Sequence, residues 1–87
     1  MTYEVVLSPG ARRALSAELP EAVAAACFQF IYGPLAENPR RVGKQLHREL
    51  EGTYSARRGE FRVLYDIDDN RIRVEVISIR HRRDVYR

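Results

Sequence analysis

Arg80-His81-Arg82-Arg83-Asp84-Val85-Tyr86-Arg87 follows an apolar strand pattern ending at Ile79, and it gathers one imidazole, one phenol and four guanidiniums in eight positions. These types suit a phosphodiester. Arginine forks two phosphate oxygens at once and keeps its proton, whereas histidine and tyrosine both exchange theirs. Cleaving RNA through its own 2′-hydroxyl needs a base for that proton, an acid for the departing 5′-oxygen, and cations for the charge gathering on phosphorus. A phenol with an ordinary pKa of about 10 serves as a base only if neighbouring cations favour its phenolate. Arg62 and Arg82 are candidates for that task beside Tyr86. His81 titrates near neutrality and is the natural acid or an alternative base.

Charge distribution points the same way. Residues 1–39 carry two basic residues against four acidic ones (−2), and residues 40–87 carry thirteen against eight (+5). Fourteen of the fifteen basic residues are Arg, a choice that genome composition can explain. Their clustering in the second half needs another reason, and an anionic partner such as nucleic acid supplies one. Arg40, Arg41, Lys44 and Arg48 read as an electrostatic footprint for RNA phosphates, giving salt-dependent affinity without sequence choice. Arg58, Arg80 and Arg83 extend it. Glu60, Asp66, Asp68, Asp69 and Glu75 read as mostly solvated. His47 reads as a surface residue, and Cys27 as a buried small hydrophobe.

Eighty-seven residues make one domain, 1–87, with room for a single modest core. The 45% hydrophobic and 31% charged content is that of a folded globule. The longest apolar run is far short of the roughly 20 residues that span a membrane. The opening residues lack the pattern of a signal peptide, so the expected location is the cytoplasm. His and Cys at positions 27, 47 and 81 have no ligand spacing, so neither a metal site nor a cofactor is expected.

The elements that must position the basic groups are legible in outline. Tyr3 to Leu7 is a short strand, and Ser8 caps a helix that opens on Pro9 and runs to about Glu18, burying Ala11, Ala14 or Leu15, and Leu19. Pro20 opens a second helix, whose broad apolar face holds Val23, Ala24, Cys27, Phe28, Phe30 and Ile31; Gly33-Pro34 either bends it, allowing a last turn to about Glu37, or ends it. With almost no loop between them, the two must form an αα-hairpin. The segment from Lys44 to Leu50 is amphipathic but too short to assign. Thr53 to Arg57 is a weak strand. Phe61 to Ile67 is a strong one, with Phe61, Val63, Tyr65 and Ile67 on one face and Arg62, Leu64 and Asp66 on the other. Asp68-Asp69-Asn70 offers turn residues tolerant of positive φ. Ile72 to Ile79 returns with Ile72, Val74, Val76 and Ser78 on one face and Arg73, Glu75, Ile77 and Ile79 on the other. The expected class is α+β: an N-terminal strand, a two-helix hairpin and a three-stranded antiparallel meander, with helices on one face of a four-stranded sheet. The other face stays partly open, and Arg62 points there.

Leu50-Glu51-Gly52-Thr53-Tyr54-Ser55-Ala56-Arg57-Arg58-Gly59-Glu60-Phe61-Arg62-Val63-Leu64-Tyr65, followed by Ile77-Ser78-Ile79-Arg80-His81-Arg82-Arg83-Asp84-Val85-Tyr86, closely resembles the RelE toxins of RelE/ParE-type toxin–antitoxin pairs. The resemblance extends over nearly the whole chain. It implies a ribosome-dependent endoribonuclease that cuts messenger RNA in the A site without a metal and so inhibits translation. It also implies a cognate antitoxin, RelB-like or of another type II kind, and operator DNA binding only as the toxin–antitoxin complex. By motif, the family's working residues fall on Arg57, Arg62, Arg82 and Tyr86, with His81 adjacent. Two features depart from the pattern: Ser55 stands where well-studied relatives carry Lys, and the chain ends one residue past Tyr86. Two rival functions are a ParE-type gyrase poison without nuclease chemistry and a non-catalytic basic module that binds RNA or protein.

Overall fold

The computed structural model describes residues 2–46 and 52–81. Strand β1 (Glu4–Leu7) leads into helix α1 (Pro9–Arg13), which widens into a π turn over Ala14–Glu18. Helix α2 (Glu21–Phe30) likewise continues as a π turn over Ile31–Leu35, around Pro34, and a short α3 follows at Pro39–Val42. Prolines without an N–H sit where each helix starts, so they remove no bond that a turn requires. Strands β2 (Lys44–Gln45), β3 (Tyr54–Arg58), β4 (Phe61–Asp68) and β5 (Arg73–His81) complete a sheet of order β1-β5-β4-β3-β2. The pairings β2–β3, β3–β4 and β4–β5 are antiparallel, and β1 lies parallel to β5. The α+β class and the meander agree with the sequence reading. The sheet has five strands, not four, because Lys44 and Gln45 pair with Ser55 and Tyr54 in a stretch too short for periodicity to reveal.

The core is one layer between the helices and a sheet face. Ala11, Ala14, Cys27, Ile31 and Leu35 meet Ala56, Val63, Tyr65, Val74, Val76 and Ile79. Burial raises the Cys27 thiol pKa, as for an inert core cysteine. Phe28 departs from the expected apolar face: it is 51% exposed and packs on Tyr32, ring centroids 4.6 Å apart. The Tyr65 hydroxyl donates to the Pro39 carbonyl, joining the sheet to the start of α3, and burial pushes the phenol's pKa up. Gly43 passes so close that a Cβ there would lie 2.2 Å from the Tyr65 hydroxyl and 2.9 Å from the Ser55 carbonyl.

Strict alternation fails in β5. Tyr65 pairs with Val76 and Leu64 with Ser78, so Ile77 is an extra residue, a β-bulge. Past it, Ser78 turns to the face away from the helices and Ile79 turns into the core, the reverse of the sequence reading. The turn before β5 also differs. Its positive φ falls on Ile72 (φ 51), a costly place for a β-branched side chain, and not on Asp69 or Asn70. Backbone bonds hold Ile72 there: its N–H donates to the Asp69 carbonyl at 3.4 Å, and its carbonyl accepts from Glu4 at 2.9 Å.

Candidate RNA-binding face

Cross-strand register builds the site. Arg57 of β3 lies opposite Arg62 of β4, and Arg62 lies opposite Arg80 of β5. Directly opposed residues share a face, so three guanidinium-bearing side chains form one row across the sheet, turned away from the helices. The bulge is what places Arg80 in that row; unbroken alternation from Val76 would send it to the helix side. The next row holds Lys44, Ser55, Leu64 and Ser78. A groove of about 560 Å³ beside these rows is lined by Arg41, Lys44, Gln45, Ser55, Arg57 and Arg62, among others. This face is less open than alternation implies, because Ser55 and Leu64 are 5% and 4% exposed.

Tight local structure fixes the rows. The β3–β4 hairpin turns over Gly59-Glu60, and Gly59 supplies the positive φ of 62 that a two-residue loop demands. Arg57 Nε donates to the Gly59 carbonyl at 3.2 Å, anchoring that guanidinium at the turn. The Ser55 and Ser78 hydroxyls are buried and have no hydrogen-bond partner among the described residues. A buried hydroxyl costs free energy until something binds it, and these two flank Leu64 next to the arginines. Three like charges side by side also repel. Such a surface is suited to an anion that bridges the cations.

Other predicted residues lie elsewhere. Arg58 pairs with Phe61, one place along from Arg57, and so falls on the helix face. His81 also pairs with Phe61, whose ring it meets edge-on at 5.3 Å, and its Nε2 stands 3.6 Å from a Glu60 carboxylate oxygen. Register therefore separates the His81 imidazole from the arginine row. Arg40 is committed to structure: it donates to both Asp69 oxygens at 2.8 and 2.6 Å, and the Tyr3 hydroxyl donates to the same carboxylate at 2.9 Å. Asp69, expected to be solvated, thus clasps the β4–β5 turn to α3 and to Tyr3, just ahead of β1. Hydrogen bonds from Arg40 and then Tyr3 hold its pKa below the usual carboxylate range, and the Asp69 bond raises that of Tyr3. His47, Arg48, Arg82, Arg83 and Tyr86 lie outside the described residues. Among the described residues no cluster of three or more His, Cys, Asp or Glu could hold a metal ion. Nor is any helix among them long and apolar enough to cross a membrane.

Comparison with known proteins gives this face its context. The model of the ParE toxin of type II toxin–antitoxin systems matches residues 5–86. The toxin RelE of Mycobacterium tuberculosis (strain ATCC 25618 / H37Rv) is 52% identical over 85 residues, 98% of this chain and 87% of that protein. The chain belongs to the RelE/ParE toxin family. A second relative, the toxin RelG of the same organism, is 48% identical over 87 residues, 100% of this chain and 99% of RelG. The M. tuberculosis toxin–antitoxin complex RelBE2 contains a chain that superposes with a TM-score of 0.88 at 46% identity, covering 93% of this chain and 99% of that one. This RelE-family chain therefore has the fold of the RelBE2 chain, and its own arginine row lies on the β3–β4–β5 meander.

Proposed function

We propose that this type II toxin is a ribosome-dependent endoribonuclease that cuts messenger RNA in the A site, in the cytoplasm, and so stops translation. The observation that carries this reading is the Arg57–Arg62–Arg80 row beside a groove of about 560 Å³. A row of permanent cations lowers the free energy of a phosphorane more than that of its diester, and that difference is what accelerates the step. In the proposed mechanism Arg62 and Arg57 grip the scissile phosphate, Arg82 supports it, and the Tyr86 phenolate takes the 2′-hydroxyl proton. The 2′-oxygen then bonds to phosphorus as the P–O5′ bond breaks. A donor on the ribosome protonates the departing 5′-oxygen, since His81 leaves the sheet on the other face, and no metal takes part. Proton transfer by a placed side chain is worth about 10²–10⁴ in rate; charge stabilisation and positioning of the message on the ribosome supply the rest. Arg41 and Lys44 line the groove and add affinity for RNA phosphates. The similar RelBE2 chain comes from a toxin–antitoxin complex, which supports a cognate antitoxin for this chain; in the proposed reading it covers the basic face and silences the toxin, and the pair represses its own operator.

Induced expression followed by primer extension on a translating message tests this. Cuts inside A-site codons that disappear with Arg62→Ala support it. Growth arrest with intact message and a DNA-damage response overturns it in favour of gyrase poisoning.

A further inference from the structure

The bulge that brings Arg80 into the row is held by one side chain from the other end of the chain. Ser8 caps α1 by accepting the Ala11 N–H at 3.1 Å, and the same Oγ donates its proton to the carbonyl of Ile77, the bulged residue, at 2.5 Å. The Ser8 backbone N–H donates to the neighbouring Val76 carbonyl at 2.9 Å. A bulge leaves its extra residue without a ladder partner, so Ile77 needs an outside donor. Immediately beyond it, Ile79 is buried at 8% and Arg80 is exposed on the opposite face, next to Arg62.

We propose that Ser8 is a positioning residue for the RNA-binding face: its hydroxyl clamps the Ile77 bulge and thereby holds Arg80 in line with Arg62. The two functions of the hydroxyl are chemically separable. Capping uses the oxygen as an acceptor, and clamping uses its proton. An aspartate at this position still caps the helix but, being an acceptor only, has nothing to donate to Ile77. Threonine does both.

The test compares wild type, Ser8→Asp, Ser8→Ala and Ser8→Thr by amide exchange and cross-strand NOEs. Ser8→Asp should keep α1 protected while protection over residues 77–80 drops about ten-fold or more and the Arg62–Arg80 contact weakens. Ser8→Ala should add fraying of α1, and Ser8→Thr should behave as wild type. Exchange in Ser8→Asp that matches wild type, or that rises evenly over every strand, overturns the clamp. The importance of the clamp for RNA rests on the function proposed above and is read separately. On ribosomes programmed with an uncleavable 2′-deoxy message, Ser8→Asp and Arg80→Gln should each reduce the salt slope of binding by about 0.7, the value for one single-stranded phosphate contact. The double variant should lose no more than either single one. Additive losses overturn the link to Arg80. Wild-type binding that ignores salt counts against the RNA reading and leaves the exchange result to decide the clamp.

Discussion

Replacing Arg62 with glutamine removes the central charge of the row and keeps most of its side-chain stem. Its two cross-strand neighbours, Arg57 and Arg80, carry the same sign. Like charges directly opposed on a sheet cost about 0.2–1 kcal/mol per pair, so relieving both should remove about 0.4–2 kcal/mol of repulsion from the protein at low ionic strength. For a domain of this size that is a rise in Tm of roughly 4–8 °C for each kcal/mol. The gain should fade as salt shortens the screening length to about 3 Å near 1 M. Thermal melts of wild type and Arg62→Gln across a salt series measure it directly. Wild type should gain more stability from salt than the variant does, even as the variant loses RNA affinity. If Arg62→Gln melts lower than wild type by the same amount at every salt concentration, repulsion along the row does not govern stability.

Other perturbations probe the frame around the site. Gly43→Ala should cost about 1–3 kcal/mol in urea unfolding, because its new methyl collides with the Tyr65 hydroxyl and the Ser55 backbone. Ile72→Asn should raise stability by about 0.5–1 kcal/mol in the same assay, since asparagine tolerates a φ of 51 that a β-branched residue resists. Asp69 has a depressed pKa, so the unfolded chain binds its proton first as pH falls; its contribution is present above about pH 4 and lost below it. Asp69→Asn should accordingly flatten the acid limb of the stability–pH curve, and an unchanged limb would show that the Arg40 clasp contributes nothing there.

The fold was legible wherever one periodicity ran unbroken. Alternation from Phe61 to Ile67 gave the face of Arg62, and Ser8-Pro9 marked a helix start. It was illegible where tertiary pairing overrides local pattern. Nothing near Ile77 in the sequence marks a bulge, because its donor is Ser8, on the first connection of the fold. Consequently Ser78 and Ile79 were assigned to the wrong faces. Asp69 reads as a solvated charge and Arg40 as part of the RNA footprint, since their pairing spans 29 positions and depends on how α3 meets the β4–β5 turn. Arg58 and His81 belonged by type to the basic cluster; only register shows that their side chains leave the sheet on its helix side. Motif matching carried Arg57 and Arg62 to the same face, and cross-strand pairing adds Arg80 beside them.

The most direct measurement is single-turnover cleavage of a message held on a purified, programmed ribosome with a defined A-site codon. Wild type should cut within that codon, and Arg62→Ala should slow the cut by about 10²–10³ with ribosome binding only modestly weakened, as expected when a charge-stabilising group is removed. An uncut message with wild type, or equal rates for both proteins, would contradict a phosphate-cleaving role for this face.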